Sequence, residues 1–367
     1  MKNVVSGKKI LKVPNLRFPG FVGEWEESLI GEILKIGSGK DYKHLSGGEI
    51  PVFGTGGYMA SVSEHLFEGE TVCIGRKGTI NKPFYYHGKL WTVDTLFYTH
   101  SFERVLPRFV SYLFERINWL KYNEASGVPS LSKKTIEQIE IFIPSISEQK
   151  KLTDFHLRLD ERIQTQNKII QCLESLMRGL REKLFKQQIR FNNEFGNEFP
   201  NWVEKKIAEI ALKKTSNVSA NSLDENEGEY KIYGATGTFK NVDFYREKEE
   251  YISIVKDGAG VGRLLLCEAK SSVLGTLDII KNNEFSNLKF LYYILGSVDF
   301  LKYKTGSTIP HIYFKDYSCE VVKFPSRNEQ TLIANFLISI DEKINIEERI
   351  SKNYEKQKKY LLQNLFI

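Results

Sequence analysis

Two stretches of this chain, Ser145 to about Gln187 and Ser326 to Phe366, repeat one another and constrain what lies before each of them. Both follow a proline, and both reach Glu-Gln three residues on: Pro144-Ser145…Glu148-Gln149 and Pro325-Ser326…Glu329-Gln330. Ser-x-x-Glu is the spacing of a capping box, in which both side chains satisfy backbone N–H groups that a new helix leaves unpaired. Apolar residues then recur at steps of three and four: Leu152, Leu159, Ile163, Ile170, Leu173, Met177, Leu180 and Leu184, with His156 and Gln166 as polar members. Shifted by 181, the second stripe reads Ile333, Leu337, Ile340, Ile344, Glu347, Ser351, Tyr354, Lys358, Leu361 and Leu365. A stripe of this period predicts a coiled-coil seam between two helices, each roughly 60 Å long at ~1.5 Å per residue. Gln166 and Glu347 share one seam slot, where a polar residue fixes register.

The segments before the helices repeat as well. Leu16-Arg17-Phe18…Trp25 is echoed by Ile189-Arg190-Phe191…Trp202, and Phe53-Gly54-Thr55-Gly56 by Tyr233-Gly234-Ala235-Thr236. Arg76-Lys77-Gly78 aligns with Lys256-Asp257-Gly258, and from Phe109 onward the offset stays at 181 without a gap. The chain is therefore a tandem duplication of one globular domain plus one helix, with domains at 1–144 and 188–325 and helices at 145–187 and 326–367. Within each domain, strand-like runs (Thr71 to Ile74, Leu90 to Thr99, Tyr251 to Val255, Arg263 to Cys267) lie between glycine turns. An amphipathic segment follows (Pro107 to Tyr122, Leu288 to Tyr303), then a last strand (Ile139 to Ile143, Glu320 to Phe324). The fold class expected is α+β, two globular domains separated by a long antiparallel two-helix coiled coil with a pseudo-two-fold repeat. The helices are antiparallel because the few residues after Leu184-Phe185 oblige helix two to run back to reach helix one. The lead Ile10 to Phe18 is expected to pack beside Leu365-Phe366, where no further domain follows.

Composition narrows the chemistry. No apolar run approaches 18 residues and Met1 to Pro14 has no apolar core, so neither a membrane span nor a secretory signal is expected. Cys73, Cys172, Cys267 and Cys319 are scattered, which reads as reduced thiols in a cytoplasmic protein. A net charge of +6 admits an anionic partner. Catalytic motifs fail one by one. Gly37-Ser38-Gly39-Lys40 lacks the rest of a phosphate loop, and Gly258-Ala259-Gly260-Val261-Gly262 is one residue short of a dinucleotide fingerprint. Ser130-x-x-Lys133 is too short to weigh, and the six histidines form no metal-ligand pair.

Two non-identical domains on a rigid spacer suit a target with two spaced half-sites, such as duplex DNA, whose half-sites recur each ~34–36 Å turn. At its domain exits the chain resembles the DNA-specificity subunits of type I restriction–modification systems. The carrying residues are Ser126-Gly127-Val128-Pro129…Ile143-Pro144…Glu148-Gln149…Leu159-Asp160-Glu161-Arg162-Ile163 and Ser307-Thr308-Ile309-Pro310…Phe324-Pro325…Glu329-Gln330…Ile340-Asp341-Glu342-Lys343-Ile344. Where that family often has two prolines at the helix start, each proline here is followed by serine. The resemblance implies that each globular part is a target recognition domain reading half of a bipartite DNA sequence. It implies that the helices set the gap and dock two methyltransferase subunits, which endonuclease/translocase subunits join. It implies no active site and no cofactor on this chain, with S-adenosylmethionine, ATP and Mg used by the partners. The rival readings are a self-contained DNA methyltransferase or nuclease, and a coiled-coil scaffold without nucleic acid.

Phosphate contacts come from cations in glycine-rich loops, and base contacts from polar and aromatic side chains that reach a groove. The DNA-binding candidates in domain one are Lys40, Tyr42, Lys43, His44, Thr55, Tyr58, Arg76, Lys77, Thr79, Asn81 and Lys82. In domain two they are Lys231, Thr236, Lys240, Lys256, Arg263, Lys304 and His311. Ser130, Ser132, Lys133 and Lys134 read equally well as backbone contacts or as a helix start.

Overall fold

A computed structural model describes residues 12–223 and 225–367. The chain divides into two compact units, 1–167 with 349–367, and 168–348. The first copy runs β1 (Glu26–Leu29), α1 (Ile30–Ile33), β2 (Lys35–Ser38), β3 (Gly47–Gly54), β4 (Gly57–Val62), β5 (Phe67–Gly75), β6 (Phe84–Thr92), β7 (Leu96–His100), α2 (Pro107–Arg116), α3 (Lys133–Glu137), β8 (Glu140–Ile143) and α4 (Ile146–Phe185). The second runs β9 (Val203–Lys206), α5 (Ile207–Ile210), β10 (Ala211–Thr215), β11 (Tyr230–Gly234), β12 (Gly237–Val242), β13 (Tyr251–Val255), β14 (Leu264–Cys267), β15 (Ser272–Val273), β16 (Leu277–Asn282), α6 (Leu288–Leu295), α7 (Phe314–Tyr317), β17 (Val321–Phe324) and α8 (Arg327–Leu365). The fold is α+β, and its two halves repeat in the same element order, with one strand of the first copy split in two in the second.

Strand order, which pattern alone does not supply, is the same in both copies. The first sheet is β2-β7-β5-β6-β3-β4, antiparallel except where β3 runs parallel to β6. The second copy has β10-β16-β13-β14 and β12-β11-β15, the same order with the strand matching β6 broken into β14 and β15. Lys270, at φ +53°, marks the break. A two-stranded pair (β1-β8, β9-β17) closes each domain against its helix start.

Three predicted segments are shorter than expected, one of them Leu288 to Tyr303, whose α-helix ends at Leu295 before a 3₁₀ turn at Phe300–Tyr303. The run Leu90 to Thr99 is not one strand: Leu96 N–H donates to the Val93 carbonyl at 2.9 Å, turning the chain between β6 and β7. The run Pro107 to Tyr122 stops being α-helical after Arg116, because Ile117 is extended. The indole of Trp119 then donates to the Phe114 carbonyl at 2.7 Å, satisfying a helix end, and Trp119–Tyr122 form a 3₁₀ turn.

The capping box is a tertiary clamp instead. Glu148 N–H reaches the Ser145 hydroxyl at 3.4 Å, but both Glu148 oxygens receive the Arg17 guanidinium, at 2.8 and 2.7 Å. Arg190 grips Glu329 in the same way, at 3.1 and 3.0 Å. The neighbouring glutamine is a staple. Gln149 accepts from Leu106 N–H and donates to the carbonyls of Arg104 and Pro144, while Gln330 accepts from Asn287 N–H and donates to those of Phe285 and Pro325. Each Glu-Gln thus ties the chain leading into its domain, and the start of α2 or α6, to its own long helix.

Within each unit the long helices pair antiparallel. In the first, His156 meets Phe366 (ring centroids 5.6 Å apart), Asp160 meets Lys358 (2.8 Å) and Asn167 meets Ser351 (2.8 Å), one number rising as the other falls. In the second, Met177 and Leu184 join Ile333, Leu337 and Phe290 in one core. The anchoring pairs repeat: Tyr112 donates to Asp160 at 2.8 Å and Tyr293 to Asp341 at 2.5 Å. The nearby cations sit on opposite helices of the pair, Lys358 on α8 for Asp160 and Arg181 on α4 for Asp341. Leu16 N–H donates to the Asn364 carbonyl at 2.8 Å and Trp25 packs edge-on against Phe366, so the described part of the lead lies beside the end of α8. Ile10 lies outside the described residues.

Candidate nucleic-acid interface

Three loops meet at one edge of the first domain's sheet. The β5–β6 loop leaves with Arg76, whose N–H donates to the Thr95 carbonyl at 2.7 Å. Gly78 N–H donates to Pro129 at 2.8 Å, and Leu131 N–H returns to Arg76 at 2.9 Å. Gly78 needs no Cβ for this bend, since its φ is +87°. The β3–β4 tip stands beside it: a Cβ added to Gly78 would lie 3.6 Å from Thr55 Oγ1. The second domain builds the same frame, with Lys256 N–H on Thr276, Gly258 N–H on Pro310 and Ile312 N–H on Lys256, all within 2.9–3.0 Å.

This frame gathers much of the first candidate set. Arg76, Lys77, Asn81 and Lys82 are exposed on the loop, Thr79 is half-buried, and Thr55 and Tyr58 flank it on the hairpin. Lys40 is held by backbone on the far side of the turn, its N–H on Thr92 and its carbonyl receiving the Trp91 indole, both at 2.8 Å. His44 packs edge-on to Trp91, and Tyr42 fills the small core around Val52 and Trp91. Among the described residues, Lys40, Lys43, Arg76, Lys77 and Lys82 have no carboxylate within salt-bridge distance, and all five are exposed.

The second set is chemically different. Lys231 pairs with Glu268 at 2.5 Å, and Lys240 donates to the Leu223 carbonyl at 2.5 Å. Lys256 turns in to nearly buried Asp278 at 3.3 Å, and His311 bonds Asp257 at 2.7 Å. Arg263 donates to the Ala235 carbonyl at 2.8 Å, on the β11–β12 tip. Thr236 and Lys304 are exposed. A second buried acid, Glu247, is clamped between Lys214 and Lys281. Burial pushes its pKa up, but the two ammonium groups outweigh that and hold it below the usual carboxylate range. Ser132 resolves as a helix start, accepting Thr135 N–H at 3.1 Å as the cap of α3.

One feature of both hairpins escapes any reading of the sequence. Phe53 pairs with Tyr58 but Val52 with Ala60, leaving Met59 as an extra residue. Tyr233 pairs with Thr238 but Ile232 with Lys240, leaving Phe239 likewise. Only strand pairing shows such a bulge. Among the described residues no group of His, Cys, Asp and Glu is placed to hold a metal ion, and no helix is long and apolar enough to cross a membrane.

Comparison with known proteins gives the same two-part division. The family model for the type I restriction modification DNA specificity domain matches twice, at residues 23–175 and 200–356. The type I restriction enzyme MjaVIII specificity subunit of Methanocaldococcus jannaschii is 26% identical over 276 residues, covering 66% of this chain and 64% of that protein. The crystal structure of a type I restriction-modification S subunit from M. genitalium superposes with a TM-score of 0.69 at 15% identity, covering 97% of this chain and 99% of that one. A chain from a structural study of type I R-M complex assembly and conformational transition gives a TM-score of 0.50 at 12% identity, with 93% and 97% covered. With both repeats matched over most of their length, this chain belongs to the type I restriction modification DNA specificity family.

Proposed function

We propose that this chain is the DNA-reading subunit of a type I restriction–modification complex, each globular domain recognising one half of a bipartite duplex target. The observation that carries this reading is one backbone frame built twice, Gly78 on Pro129 and Gly258 on Pro310, dressed with different side chains. A shared frame with divergent edges is what two unlike half-sites ask of two copies of one reader. In the first domain the exposed Lys40, Lys43, Arg76, Lys77 and Lys82 supply phosphate contacts, with Tyr42, His44, Thr55, Tyr58, Thr79 and Asn81 near the bases. In the second, Thr236, Arg263 and Lys304 take the leading part, while Lys231, Lys240, Lys256 and His311 work through the partners they already hold. The paired helices set the gap and dock two methyltransferase subunits, with endonuclease/translocase subunits joining through them. Adenine methylation with S-adenosylmethionine and ATP- and Mg-dependent cleavage belong to those partners, and the complex works in the cytoplasm.

Mapping modified adenines in cells with and without this chain tests the reading. A bipartite motif that appears only with the chain is expected, and its absence refutes the proposal. Methyl transfer to DNA by the purified chain alone refutes the assignment of catalysis to partners.

A further inference from the structure

The bulge in each hairpin presents one large apolar side chain. Met59 is 53% exposed and Phe239 is 52% exposed, each at a position where its strand pair slips next to the hairpin tip. A bulge leaves its extra residue without a cross-strand neighbour and re-aims the side chain, and such irregularities gather beside functional sites. The glycine facing Met59 makes room for it: a Cβ on Gly54 would lie 2.6 Å from Met59 Sδ, whereas one on Gly234 would meet Phe239 Cβ at an ordinary contact distance of 3.4 Å.

Scattered exposed apolar side chains need no explanation. Here the same irregular position is apolar and half-exposed in both copies, although the flanking residues differ (Tyr58-Met59-Ala60 against Thr238-Phe239-Lys240). Both tips adjoin the frame described above, through Thr55 beside Gly78 and through Arg263 on the Ala235 carbonyl. Cations at that edge meet phosphates, but a thioether or a phenyl ring gains nothing from a phosphate. A base edge offers each of them a thymine methyl or the face of an opened base step.

We propose that Met59 and Phe239 are specificity-determining residues, each making an apolar contact with bases of the half-site its own domain reads. This rests on the DNA-reading function proposed above. A flexible thioether and a flat ring at equivalent positions favour different bases, which contributes to the difference between the half-sites.

The test is to express the full chain with its modification subunits and map methylated adenines genome-wide for wild type, Met59→Ala, Met59→Phe and Phe239→Ala. Each variant is expected to keep the gap and one half-site while relaxing or changing base preference in the other. The Met59 variants act on one half and Phe239→Ala on the other, with about a tenfold loss of discrimination, the low end for one lost apolar contact. Unaltered motifs for all three variants overturn the proposal. So does failure of the variants to assemble with the modification subunits while their melting temperatures match wild type, because the bulge is then a protein contact. A wild-type complex that yields no bipartite motif defeats the underlying DNA-reading function instead, and the two failures are told apart by that control.

Discussion

Replacing Arg190 with methionine removes the cation from a carboxylate that has no exposed side-chain surface. Glu329 is 0% exposed, whereas Arg190 retains 21%. Breaking a buried pair by removing one partner costs about 3–5 kcal/mol, because the remaining charge is left uncompensated in a poor solvent for it. The guanidinium edge is partly wetted and water can follow it into the space, which places the loss near the lower limit, about 3 kcal/mol. Arg190 also donates to the carbonyls of Phe199 (3.1 Å) and Pro200 (2.8 Å), so the loop leading to Trp202 loosens as well. For a unit of this size each kcal/mol shifts Tm by about 2–4 °C, so Arg190→Met should lower the transition of the second unit by roughly 6–12 °C. Adding Glu329→Leu removes the stranded charge, and the double variant should recover to within about 1 kcal/mol of wild type. Differential scanning calorimetry of the three proteins reads this directly. A single variant melting within about 2 °C of wild type, or a double variant no better than the single, would refute the clamp as a source of stability.

Tyr293→Phe leaves Asp341 without its hydroxyl donor at a site where burial already holds that carboxyl above its ordinary value. The variant should lose about 1–3 kcal/mol. An acid held high in the folded state is stabilised by protonation, so urea titrations should show a larger loss at pH 8 than at pH 4. His156 is fully buried, its Nδ1 2.9 Å from the Leu152 carbonyl and its Nε2 without a partner among the described residues. Burial, with Lys358 nearby and only partly offset by that carbonyl and Asp160, holds its pKa below the ordinary value. A histidine lowered on folding costs stability as pH falls below its unfolded value of about 6.5. His156→Leu, which installs the residue that Leu337 provides in the other copy, should flatten thermal stability between pH 7 and pH 5, and an unchanged slope would count against this account. Deleting seven residues from each long helix shortens each by ~10 Å, about three base-pair steps of duplex. The recognised gap should shrink while both half-site sequences stay the same, and methylation mapping would expose the contrary.

The duplication and the long helices were legible because both rest on spacing: a constant offset and a three–four stripe survive without knowledge of the fold. The meaning of Glu148 and Glu329 was not. Their distance from Ser145 and Ser326 suits a local cap, but arginines 131 and 139 residues away reach them first. Strand order and the parallel pairing of β3 with β6 depend on contacts between distant segments, which periodicity does not encode. Among candidate site residues, loop composition points to Arg76, Lys77 and Lys82, which share one exposed loop, whereas Lys40 lies across the turn at Thr92. The second domain shows what composition misses. A lysine counts as a free charge until Asp278 or Glu268 is found beside it, and both lie more than twenty residues from Lys256 and Lys231.

The placement of the two cations near the Tyr–Asp anchors carries a consequence of its own. Asp160, in the first copy, is neutralised by Lys358 from the second, and Asp341, in the second, lies in the field of Arg181 from the first. Each half of the gene product thus sets a cation near the other half's anchoring acid. Two polypeptides made by cutting between the copies would each keep the acid and lose the cation opposite it, until their long helices meet again.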